Sequence, residues 1–104
     1  MMWEQIVDSY MKNPRDVKTN PLTSRPPVWF FVYVENETVY IDRAKWHNPS
    51  SEITVPRKLA MRENECDIMF DLYQRRKHGD AVSKEAQKAS VNQVYWYGIF
   101  ADLE

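Results

Sequence analysis

The stretch VWFFVYVENETVYIDRA, residues 28–44, constrains this chain more than any other. Two runs of β-branched and aromatic residues flank the polar stretch ENE, the pattern of an antiparallel hairpin. Side chains alternate across a strand, so Val28, Phe30, Val32 and Val34 share one face with Val39 and Ile41. Trp29, Phe31 and Tyr33 share the other face with Tyr40. A half-exposed hairpin alternates apolar with polar residues, whereas this one is apolar on both sides, so something must cover each face. The expectation is that helices pack on the aromatic side, because aromatic rings dominate protein cores. A bound ligand is the alternative cover.

The flanking sequence supplies such helices. Trp3, Ile6, Val7, Tyr10 and Met11 recur at helical spacing, which predicts a helix from Trp3 to Lys12 that stops at Asn13-Pro14. NPRDVKTNPLTSRPP has four prolines and no period, and reads as an extended loop. KWHNPSSEITVPRK reads as a second loop, with Glu52 to Val55 the candidate for a short third strand ended by Pro56. In RKLAMRENECDIMFDLYQRRKHG, Leu59, Cys66, Met69, Phe70 and Tyr73 line up as one helical face. Basic residues close that helix, its start is expected near Asn64, and Gly79 suits a left-handed cap. Ser83 and Ser90 are N-cap candidates for KEAQKA and VNQVYWYGIF. The expected fold class is α+β, one domain over residues 1–104: an N-terminal helix, an antiparallel hairpin with room for a third strand, and a helical C-terminal half packed on the sheet.

Composition removes several functional classes. The formal net charge is −1, from 14 Lys and Arg against 15 Asp and Glu, so a nucleic-acid site would have to be a local patch. The longest apolar run, VWFFVYV, is too short to span a bilayer as a helix, and Glu4 and Asp8 spoil the N-terminus as a signal peptide. With the lone Cys66 this makes a soluble, cytoplasmic protein with no membrane partner the expectation. Only two glycines are present, too few for a phosphate-cradling loop.

Residues 81–100, AVSKEAQKASVNQVYWYGIF, carry the strongest functional pattern: small Ala86 in a short helix, a turn at Ser90, branched Val91, then apolar Trp96 and Ile99. In this the segment resembles the helix-turn-helix superfamily of DNA-binding proteins. The resemblance covers about a fifth of the chain and departs from the pattern at Glu85, usually apolar, at Ser90, usually glycine, and at Gly98, which weakens a helix. It implies duplex DNA as partner, with Asn92, Gln93, Tyr95 and Tyr97 facing base edges. Arg75, Arg76, Lys77, Lys84 and Lys88 would hold phosphates; residues 73–101 contain five basic and two acidic side chains, a local +3. Two structural alternatives compete with it, a buried helix pair and a strand over Val94 to Phe100.

The aromatic set Trp29, Phe31, Tyr33 and Tyr40 is the second candidate surface, able in principle to stack unpaired bases or to meet another protein or a second copy of this chain. The loop TNPLTSRPP could add to such a surface. Catalytic residues are not expected: His47, His78 and Cys66 lie apart without metal-ligand spacing, so neither metal nor cofactor is expected. Glu63, Glu65 and Asp67 spread around a helix and are read as a solvated, ion-paired surface.

Overall fold

The computed structural model describes residues 2–21 and 25–104. Helix α1 spans Trp3–Lys12, the range its apolar stripe predicts, and buries Ile6 and Tyr10. The Met2 N–H donates to the Gln5 side chain at 2.8 Å, satisfying one of the donors a helix start leaves over.

The hairpin is present as β2, Trp29–Glu35, paired with β3, Thr38–Arg43, in the register Tyr33 opposite Tyr40. Asn36 and Glu37 take left-handed backbone angles at the tight turn, φ 50° and 62°. The sequence reading missed two strands. β1, Arg15–Lys18, lies in the stretch read as an extended loop and pairs antiparallel with β2. The third strand expected at Glu52 to Val55 does not form; Arg57–Lys58, on the far side of Pro56, pairs with β3 as β4 instead. The sheet order is β1-β2-β3-β4.

Three helices complete the chain: α2, Glu65–Lys77, α3, Ser83–Ala89, and α4, Gln93–Asp102. Gly79 closes α2 with φ 94°, a conformation glycine adopts without strain. Ser83 starts α3 with Val82 as its N-cap, so neither Ser83 nor Ser90 serves as the predicted cap. The segment Val94 to Phe100 is helical, which decides between the helix and strand readings.

The helices pack on the aliphatic face of the sheet. Val17, Phe30, Val32, Val39 and Ile41 share one apolar cluster with Ile6 and Tyr10 of α1, Met69, Leu72 and Tyr73 of α2, and Trp96, Ile99 and Phe100 of α4. Phe31 is buried but stands outside that cluster. The expectation that helices cover the aromatic face is thereby corrected. The stripe from Trp3 to Tyr10 and its counterpart on α2 find their partners on the other side of the sheet.

Helix α4 reaches β1 closely because residue 98 has no side chain. A Cβ there would lie 2.8 Å from the Lys18 carbonyl oxygen, 3.1 Å from the Phe30 ring and 3.2 Å from the Thr19 Cα. Two of those neighbours are backbone and cannot swing away. Alanine at an exposed helix position would stabilise relative to glycine by about 1 kcal/mol. Here Gly98→Ala is expected to destabilise by roughly 1–3 kcal/mol through overpacking, read by urea denaturation. A gain in stability would show that the helix and strand are free to separate.

Candidate functional site

The side of the sheet away from the helices carries Asp16 and Lys18 of β1, Trp29, Phe31, Tyr33 and Glu35 of β2, and Tyr40 and Asp42 of β3, as the strand register dictates. Lys58 of β4 stands opposite Tyr40. What lies over this face is not a helix but the loop that follows β3. Its anchor is Asp16, whose side chain is buried. One carboxylate oxygen accepts the Lys45 N–H at 2.9 Å; the other accepts the N–H groups of Trp46 at 2.7 Å and His47 at 2.9 Å. His47 Nδ1 lies 2.9 Å from that second oxygen and carries the proton between them. Burial pushes the Asp16 carboxyl up, but the hydrogen bonds from Lys45, His47 and Trp46 outweigh it and hold the group below its usual range.

Three consecutive backbone N–H groups aimed at one carboxylate fix the loop's course, and the side chains between them go where the backbone sends them. The His47 ring stacks on Trp29, centroids 3.9 Å apart. Lys45 lies 4.2 Å over the Phe31 ring. Trp46 touches Phe31 edge-on and is otherwise 67% exposed. Tyr33 and Tyr40 stack on each other across the strands at 5.4 Å. The four aromatic residues singled out in the sequence share one face of the sheet, with Phe31 buried beneath Lys45 and Trp46.

The C-terminal set is arranged differently. Asn92 is fully buried, its amide nitrogen donating to the carbonyls of Lys58 and Leu59 at 3.0 and 2.9 Å. Tyr97 is buried in the core cluster, and Tyr95 leans on the Phe30 ring. Asn92 and Tyr97 are thus not presented to a groove as the helix-turn-helix resemblance implies; the apolar content of α4 draws that helix into the core. Gln93 is half-buried and, with Tyr97 and Arg76, lines a cleft. Arg75 is taken up by Asp71, Asp80 and Glu85, and Lys77 by Glu104. Lys84 and Lys88 stay exposed on α3.

Behind the turn between α3 and α4 lies a polar knot that the sequence reading placed on the surface. Glu65 is 2% exposed. Its Oε1 accepts the N–H groups of Met61 and Arg62 at 3.0 and 3.1 Å, and its Oε2 accepts from Ser90 Oγ at 2.6 Å and Trp96 Nε1 at 2.7 Å. Ser90 Oγ in turn accepts the Asn92 N–H at 2.9 Å. This corrects the solvated reading of Glu65, while Glu63 and Asp67 are exposed as expected. Cys66 next to it is buried, and burial pushes its thiol up to about 11, far from the range of a reactive thiolate.

Among the described residues no group of His, Cys, Asp or Glu side chains could hold a metal ion, and no helix is long and apolar enough to cross a membrane. Leu22, Thr23 and Ser24 of the proline-rich loop lie outside the described residues, so its share in any surface stays an expectation. Comparison with protein-family models, curated proteins and solved structures finds no match.

Proposed function

We propose that the chain is a noncatalytic protein-interaction domain that docks another protein on the aromatic face of its sheet, with Trp46 as the central anchor. The observation that carries this reading is Trp46 itself, 67% exposed at the centre of a loop whose backbone a buried carboxylate holds. Tryptophan is among the residues most enriched at binding hot spots, and a side chain held in place before binding loses less entropy on docking.

The same geometry favours protein over unpaired bases. A base-stacking platform needs a row of open ring faces. Here Trp29 is stacked by His47, Phe31 is buried under Lys45 and Trp46, and Tyr33 and Tyr40 stack on each other. Each of these rings already has a face or edge taken by a neighbour, and Trp46 is the aromatic of this group left mostly exposed. The rim mixes Lys18, Lys45 and Lys58 with Glu35 and Asp42, a polar border of the kind that surrounds protein interfaces. Its lysines outnumber its exposed carboxylates, which suits a partner with an apolar pocket bordered by acidic side chains.

Proteins captured by the wild type are compared with those captured by Trp46→Ala, and the candidate that the variant loses is purified and titrated directly. The expected result is a loss of affinity of at least about 30-fold, the size of a hot-spot truncation. The thermal midpoint should be unchanged, since Trp46 is mostly in water. Sedimentation velocity of the two proteins shows whether the partner is a second copy. A fluorescence-anisotropy titration with duplex DNA serves the other reading: saturable, salt-sensitive binding that Lys84→Ala and Lys88→Ala weaken and Trp46→Ala does not would replace the interaction domain with a DNA-binding one.

A further inference from the structure

A cleft of about 710 Å³ lies between residues 19–21 and 25–28 on one side and α2, α3 and α4 on the other. Pro21, Pro26, Val28, Val82 and Val94 make much of its wall. Two hydrogen-bond donors in its lining are buried and have no partner, Arg76 Nη1 and the Tyr97 hydroxyl. The two groups are adjacent: the Arg76 guanidinium lies 4.3 Å over the Tyr97 ring, and its other terminal nitrogen donates to the Asn20 carbonyl. Tyr97 is only 7% exposed, so water is kept from most of the side chain.

Buried donors in proteins are nearly always satisfied, and two neighbouring side chains of one cleft that each keep an unsatisfied donor call for an acceptor. The charge around them selects its sign. Asp80, the acid in the cleft lining, is held by Arg75 at 3.5 Å, and Arg75 also carries Glu85 at 2.8 Å. Arg76 has no carboxylate of its own among the described residues. Burial lowers the Arg76 pKa, the response of a cation short of compensation, and raises that of Tyr97, which keeps the phenol protonated and able to donate.

We propose that this cleft binds a small apolar monocarboxylate, whose two oxygens accept from Arg76 Nη1 and the Tyr97 hydroxyl while its hydrocarbon lies along the prolines and valines. A guanidinium and a phenol hydroxyl both donate well to a carboxylate, and the cleft lining holds two arginines, Arg25 and Arg76, with one acid, Asp80. The volume is that of an ordinary small-molecule site. The cleft shares no residue with the aromatic face, so each proposal stands or falls alone.

The test titrates the full chain with octanoate, with 1-octanol and with inorganic phosphate, followed by thermal unfolding and by amide NMR shifts. Octanoate is expected to raise the melting temperature saturably and to move the amide signals of residues 93–97. Octanol and phosphate are expected to bind at least about tenfold more weakly. Arg76→Gln should lose about tenfold or more in octanoate affinity with octanol unchanged. Tyr97→Phe should lose several-fold, yet melt no lower than the wild type without ligand, because its hydroxyl has no bond to give up. Equal binding of octanol and octanoate, unchanged octanoate binding by Arg76→Gln, or no saturation up to about 10 mM would each overturn the proposal.

Discussion

Glu65→Ala is expected to remove roughly 3–5 kcal/mol of stability, a large share of what a domain of this size possesses. Four donors converge on that one side chain, from Met61, Arg62, Ser90 and Trp96. Alanine would leave all four without an acceptor. The indole and hydroxyl are buried and cannot turn to water, and each unsatisfied buried group costs about 1–3 kcal/mol. The loss is not a simple sum, because Met61 and Arg62 are exposed and their N–H groups can be hydrated once the loop relaxes. Glu65→Gln keeps the shape but turns one acceptor into a donor, and about half the effect is expected. Urea denaturation reads both. A Glu65→Ala protein within about 1 kcal/mol of the wild type would show that the turn between α3 and α4 is held by apolar packing alone.

The position of Glu65 was partly legible. It lies four residues before Met69, seven before Leu72 and eight before Tyr73, on the buried stripe of α2. A charge at such a place asks for partners, but the acidic neighbours Glu63 and Asp67 disguised it as one member of a solvated cluster. The hairpin and α1 were clear because their signals are local: alternation within a few residues, or apolar spacing ended by Asn13-Pro14. β1 was not, since Arg15–Lys18 is too short to show a period and sits among prolines. Helix α4 was ambiguous for a physical reason. It is apolar nearly all round, as a core helix must be, so neither a strand nor a helix period stands out. That same content, rather than a defect of the resemblance at Ser90 or Gly98, is why Asn92 and Tyr97 end up inside.

Asp16 belongs to the class of site that local pattern cannot reveal, because its donors are about thirty residues away in sequence. Asp16→Ala is expected to lose roughly 2–4 kcal/mol, less than four charge-assisted hydrogen bonds would suggest, because the released loop can reach water. The same change should cost the partner affinity of Trp46 although Asp16 itself is covered. Amide exchange distinguishes this from general weakening: Lys45, Trp46 and His47 should lose protection far more than β2 and β3. Acid tests the carboxylate. Its pKa in the folded protein lies below the unfolded value of about 3.9, so its contribution is complete above about pH 5 and is lost as pH falls through the folded value. The stability difference between wild type and Asp16→Asn should therefore stay constant above that range and shrink below about pH 4. A difference that does not change down to the acid limit would mean that the loop is held by shape and not by charge. In that case Trp46 would owe its position to the stack of His47 on Trp29, and His47→Ala would become the variant that releases it.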